Sequence, residues 1–168
     1  MTTTAFLAAE HYLPHAAPMV LIEKVLAVSE QGASCQVRVS ADGVLAPFLD
    51  AQGQLPAWFA MELMAQTVGV WNGWHAGQRG SAPRLGMLLG GRGLSCSQAA
   101  FPADALLTIS VNMVLQDEKL ASFECAISSE DSSQTSDQGR EIIVAHARLN
   151  TYQPEPEELK KLMQGISK

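Results

Sequence analysis

Apolar residues occupy nearly every position from Pro56 to Gly77 (PAWFAMELMAQTVGVWNGWHAG), with no continuous polar face. That pattern predicts a helix buried all round rather than one lying on a surface. Pro56 suits a first helical position, where its missing N–H costs nothing, and Gly77 suits the stop. At 1.5 Å per residue the helix would run about 30 Å, the width of a small domain. On either side of it the period changes to two. Met19 to Ser29 (MVLIEKVLAVS) is rich in branched residues, and Cys35, Val37 and Val39 alternate with Gln36, Arg38 and Ser40, so both stretches read as strands. A loop from Asp42 to Leu55 then delivers the chain to the helix. After the helix, Leu85–Leu89 and Leu94–Cys96 flank Gly90 and Gly91, which predicts a strand with a bulge. Leu106 to Gln116 alternates again, with Leu107, Ile109, Val111 and Met113 on one side. Ala121–Ser129 and Glu141–Tyr152 supply the last two strands.

Around these elements the sequence predicts a short amphipathic helix over residues 2–12 and a polar linker from Gln78 to Arg84. Residues 130–139 are low in complexity and predict a mobile hairpin tip. A C-terminal helix is predicted over residues 156–164, with acids first and lysines later, as the helix dipole prefers. No internal repeat and no second domain emerge. Strands on both sides of one long buried helix predict a single α+β domain over residues 1–168, an antiparallel sheet of five to six strands wrapped around the central helix.

The 168 residues suffice for one adequate core, and the composition, 47% hydrophobic and 17% charged, is that of a globular protein. A formal net charge of −6 without a dense basic run argues against nucleic acid as a partner. Cys35, Cys96 and Cys125 are widely spaced and odd in number. They fit neither a disulfide framework nor a zinc site, and read as small hydrophobes in a reducing compartment. The central helix is long enough to span a bilayer, but Glu62, Gln66, Asn72 and His75 within it oppose a transmembrane reading. The N-terminal stretch lacks the basic start and apolar run of a signal peptide. Together these features predict a cytoplasmic protein.

Glu62 is the one carboxylate in the central helix, among Phe59, Ala60, Met61, Leu63 and Met64, with no Lys or Arg within a turn. A buried unpaired charge needs a partner, a raised pKa or a task. Gln66 follows at a spacing of four and Gly69 and Gly73 continue the line, a stripe that is polar and then bare. Such a stripe either admits another backbone closely or lines a channel.

Three motifs carry a resemblance. Leu13-Pro14-His15, with Pro18-Met19 and Leu21-Ile22, is similar to a Leu-Pro-His-x-x-Pro strand entry. Glu62-Leu63-Met64-Ala65-Gln66 is similar to a Glu-x-Met-Ala-Gln on a central helix. Phe101-Pro102-Ala103-Asp104-Ala105-Leu106 is similar to a Pro-Gly-Asp-x-Leu turn. All three resemble the hotdog-fold 3-hydroxyacyl carrier-protein dehydratases of fatty acid synthesis, over roughly His11 to Tyr152. Pro56-Ala57-Trp58, Leu88-Leu89-Gly90-Gly91-Arg92 and Phe123-Glu124-Cys125 resemble a divergent branch, the dehydratase-like subunits of aryl-polyene biosynthesis clusters. One departure stands out. The fatty acid enzymes carry Gly-His-Phe-Pro before the helix, whose histidine is half of their catalytic pair; here the loop is Ala46 to Leu55 without a histidine, and Phe48 stands near that position.

The resemblance implies dehydration of 3-hydroxyacyl thioesters, with the substrate carried on the phosphopantetheine of an acyl carrier protein and no metal or redox cofactor. A base removes the α-proton and an acid protonates the departing β-hydroxyl. Glu62, if desolvated, would be the acid. Gln66 would orient it, and the Ala57 and Trp58 N–H groups at the helix start would face the thioester oxygen. Phe48, Trp58 and Gly69 would wall the substrate path. His15 is the alternative base within this chain, or else a histidine satisfying local backbone. Arg79, Arg84 and Arg92 would meet the carrier protein or are simply solvated. In the family the histidine and the facing acid come from opposite subunits. The chain is therefore expected as a homodimer lacking that histidine, or as half of a heterodimer with a second hotdog dehydratase that supplies it. A hotdog thioesterase, and a non-catalytic partner of another dehydratase, are the rival readings.

Overall fold

The structure is a computed structural model that describes residues 6, 12, 20–78, 87–117, 120–130 and 142–152. In chain order these form β1 (Lys24–Val28), β2 (Gly32–Arg38), a two-residue β3 (Leu55–Pro56), α1 (Ala60–Gln78), β4 (Met87–Cys96), a two-residue β5 (Ala100–Phe101), β6 (Leu106–Gln116), β7 (Leu120–Glu130) and β8 (Ile142–Tyr152). Six strands make one antiparallel sheet in the order β1-β2-β6-β7-β8-β4, while β3 and β5 pair separately. α1 lies on one face of the sheet and touches all six of its strands. This is the α+β arrangement that the period-two segments and the apolar helix predict, and the hotdog fold that the resemblance implies. The expected helices at 2–12 and 156–164, the hairpin tip at 130–139, His15, Arg79 and Arg84 lie outside the described residues, apart from Phe6, Tyr12 and Glu130.

Alternation places Cys35, Val37, Leu107, Ile109, Val111, Phe123, Ile127 and Leu149 inward, against Leu63, Met64 and Val70 of α1. The thiols of Cys35 and Cys125 are both pushed up to about 12, chiefly by burial, so both behave as the small hydrophobes expected of them. β4 is a single strand whose pairing with β8 shifts register between Leu88 and Gly90 and again between Arg92 and Ser95, which meets the expectation of a bulge around Gly90 and Gly91.

Two expectations for the central helix need correction. It starts at Ala60 rather than Pro56: Pro56 is extended (φ −56°, ψ 140°) and pairs with Ala100 in the β3–β5 ladder, and a 3-10 turn over Ala57–Phe59 leads into α1. Nor is the helix buried all round. Ala60, Leu63, Met64, Gln66, Thr67, Val68, Val70, Gly73 and Ala76 are buried, whereas Glu62 is exposed and Met61, Ala65, Gly69 and Asn72 are only half-buried. The described residues cover one face of an apolar helix and leave the other partly open.

Gly73 resolves part of the bare stripe. A Cβ there would overlap the carbonyl oxygen of Tyr12, so the backbone segment at Tyr12 lies against α1 at this point. Gly73→Ala is expected to destabilise the fold by roughly 1–2 kcal/mol, because overpacking against a backbone carbonyl outweighs the helix propensity that alanine adds. Urea denaturation measures this, and an unchanged or raised midpoint would show that the segment yields freely.

Candidate active site

The first turns of α1 hold a chain of hydrogen bonds running from the core to the surface. The backbone N–H of Leu21 donates to Gln66 Oε1 at 2.8 Å, and Gln66 Nε2 donates to Glu62 Oε1 at 3.0 Å. A backbone N–H can only donate, so it fixes the carbonyl end of the amide, and the NH2 end must then face Glu62. Gln66 is 2% exposed. Its buried amide therefore holds one carboxylate oxygen of Glu62 as an acceptor, while Glu62 itself is exposed. Gln66 and Glu62 thus meet as their spacing of four predicts; the Leu21 N–H that anchors Gln66 carries no side-chain signal in the sequence. Glu62 sits in the first turn, where the positive end of the helix dipole favours a carboxylate. Glu62 is exposed, so the described residues do not supply the desolvation expected around it.

Gln66→Leu is expected to cost about 1–3 kcal/mol of stability, because it leaves the buried Leu21 N–H without its acceptor. Glu62→Gln, at an exposed position, is expected to stay within about 0.5 kcal/mol of the unsubstituted chain. Parallel thermal unfolding of the two variants separates a supporting residue from one whose value is chemical. Equal losses would make Glu62 structural.

Aromatic rings cluster just ahead of α1. The Phe48 ring, on a 3-10 turn at Ala46–Phe48, lies 5.4 Å from that of Phe59, and the Phe59 ring lies 6.1 Å from Trp58. Trp58 is 73% exposed and precedes Glu62 by one helical turn. An apolar ring packed on Phe59 thus stands where the resemblance expects a histidine, and it has no proton to exchange. Ala57 does not offer the donor expected of it: its N–H donates to the Ala99 carbonyl at 3.0 Å, extending the β3–β5 pairing. Gly69 continues the half-buried outer face of α1 two turns beyond Glu62.

The structure thus gathers Phe48, Ala57, Trp58, Glu62, Gln66 and Gly69 along one side of α1. It sets Arg92 apart. The Cβ direction of Gly91 points at Met61, 2.6 Å from its Cε, so by alternation Arg92 projects from the other face of the sheet. The same contact places β4, an edge strand of the sheet, beside the first turn of α1.

The match to known proteins covers almost the whole chain. The ApeP-like family model, described as ApeP dehydratase, matches residues 7–164. The chain belongs to the ApeP-like dehydratase family. It is 49% identical to a chain of the dehydratase heterocomplex ApeI:P from Xenorhabdus doucetiae, with a TM-score of 0.81, covering 94% of this chain and 98% of that one. The phenylacetic acid degradation protein PaaI from Thermus thermophilus, in a mutant form (18% identity, TM-score 0.54, covering 78% and 92%), and PaaI of E. coli (13% identity, TM-score 0.56, covering 79% of each chain) share the fold. No curated protein matches the chain. No helix among the described residues is long and apolar enough to cross a membrane.

Proposed function

We propose that this chain is one subunit of a cytoplasmic dehydratase acting on 3-hydroxyacyl thioesters carried on acyl carrier protein. It contributes Glu62 to a site completed by a second hotdog subunit that bears the histidine. The observation that carries this reading is the Glu62 carboxyl itself, oriented through Gln66 from a buried backbone N–H yet left open on an apolar helix face beside an edge strand. An edge strand is a ready template for a partner's strand, and a partner seated there would cover Glu62 and withdraw water from it. That a 49% identical relative is a chain of a dehydratase heterocomplex supports the same assembly.

In this site the partner's histidine removes the α-proton of the thioester. As the carbon–oxygen bond at the β-position breaks, the Glu62 carboxylic acid gives its proton to the departing hydroxyl. Water and an α,β-unsaturated thioester result, and the proton on the imidazolium returns to Glu62 through solvent before the next turnover. The chemistry calls on no metal or redox cofactor, and phosphopantetheine serves only as the substrate's carrier.

The test is to incubate the assembled complex with a 3-hydroxyacyl carrier protein and follow the acyl group by mass spectrometry. Loss of one water with the thioester intact is the expected result. Release of free thiol without dehydration would instead make the chain a thioesterase.

A further inference from the structure

One edge of the sheet carries a charge that no described residue meets. β4 ends the strand order, and its residues Gly91, Arg92, Gly93, Leu94 and Ser95 are exposed in succession. Register sets Arg92 opposite Arg148 of β8, and Arg148 opposite Glu124 of β7. The Cβ direction of Gly91 and its buried neighbour Leu149 face α1, so the row Glu124, Arg148, Arg92 lies on the other face. Glu124 accepts hydrogen bonds from Arg148 Nε, at 2.9 Å, and from its Nη2. One carboxylate thus offsets one guanidinium, and Arg92 has no ion-pair partner among the described residues. The row reads acid, base, base toward the edge, and Arg92 is its open end.

A strand added to β4 continues this row. If that strand is β4 of a second copy, two-fold antiparallel pairing over all ten residues, Met87–Cys96, centres between Gly91 and Arg92. Residues directly opposite share a face, so the axis falls at Gly91 or at Arg92. Arg92 then stands opposite Gly90 or Arg92 of the second copy. Strand spacing brings the two arginine Cα atoms within about 10 Å in either register, roughly one Debye length at 0.1 M salt. Like charges meet at the join, which destabilises the pairing. A partner strand with a carboxylate at that place gives the order acid, base, base, acid instead, and leaves no charge of the row unmatched.

We propose that Arg92 selects the subunit that pairs with β4: it disfavours a second copy of this chain and favours a partner whose edge strand sets an Asp or Glu opposite it. The proposal rests on the reading of the chain as half of a shared dehydratase site, and adds the charge that decides which chain completes it. The choice has a chemical consequence. A second copy would cover Glu62 while bringing Phe48, not a histidine, in its own loop.

Charge reversal tests this on the full chain. Arg92→Glu sets a carboxylate opposite Arg148, which relieves the like-charge pair, so the thermal midpoint should not fall. Sedimentation velocity over a concentration series, on each form alone and on their equal mixture, measures self-association. After the statistical gain of mixing is removed, mixed dimers should have a Kd about tenfold below that of either form alone, and about 1 M salt should erase the difference. Arg92→Gln, which removes the charge, should strengthen self-association about threefold. Binding of the histidine-bearing subunit should weaken about tenfold on Arg92→Glu. A mixture or an Arg92→Gln chain that shows no such gain overturns the selection against self. A histidine-bearing subunit that binds the unsubstituted and Arg92→Glu chains equally overturns the carboxylate opposite Arg92. One that binds neither chain sinks the shared-site reading, while the mixture still decides whether Arg92 governs pairing.

Discussion

Replacing Glu62 by glutamine in the assembled complex is expected to lower the dehydration rate by about 10²–10⁴-fold, the range that a positioned general acid supplies. Glutamine matches glutamate in size, and its amide oxygen can still accept from Gln66 Nε2, so the geometry of the hydrogen-bond chain survives. What it lacks is a transferable proton. The loss should therefore fall on kcat, with KM for the acyl substrate little changed, the signature of an interaction made only in the transition state. Stability should hardly move, because Glu62 is exposed on its own chain. Single-turnover measurements with saturating substrate would isolate the chemical step. A complex that keeps its rate within a factor of about two after this change supports the chain as a scaffold for another dehydratase, and ends the reading of Glu62 as an acid.

The fold was legible in the sequence because its signals are local. Leu107, Ile109 and Val111 are all fully buried or nearly so, as their alternation requires, and the pair Gly90-Gly91 marks the irregular strand at the sheet edge. The helix start was less legible. Pro56 fits a first helical turn as well as it fits a short strand, and the choice is made by pairing with Ala100, forty-four residues away, which no local pattern encodes. Glu62 and Gln66 could be paired from their spacing, and the pair forms. Their contrast in burial could not, since it depends on which face of a uniformly apolar helix the sheet covers. That apolarity predicts burial within one chain, but the structure leaves part of it open, at Trp58, Met61, Ala65 and Gly69. A sequence records that a surface is apolar, not which molecule covers it. The cross-strand trio Arg92, Arg148 and Glu124 stayed hidden for a related reason: it exists only once β4, β8 and β7 are set in register.

Purified alone, the chain is expected to dehydrate 3-hydroxyacyl carrier protein at least about 10²-fold more slowly than when mixed with a histidine-bearing hotdog subunit, because a missing general base removes its own share of the rate. The physical ground is the pairing of two features. Phe48 offers an apolar ring, packed on Phe59, where a base would be needed, so two copies of this chain would bring two acids and no facing base. Glu62 and the neighbouring Trp58 are open in the single chain, so the environment that would make Glu62 an acid must come with a covering surface. Trp58, 73% exposed, reports on that covering directly. Its fluorescence should shift to shorter wavelength as the partner is added, and saturate at one partner chain per chain of this protein. Activity should rise along the same titration curve, and a partner with its histidine replaced by alanine should reproduce the fluorescence change without the activity. Full activity of the chain alone, kept in both Phe48→Ala and His15→Ala variants, would sink the shared site and require a base elsewhere in this chain.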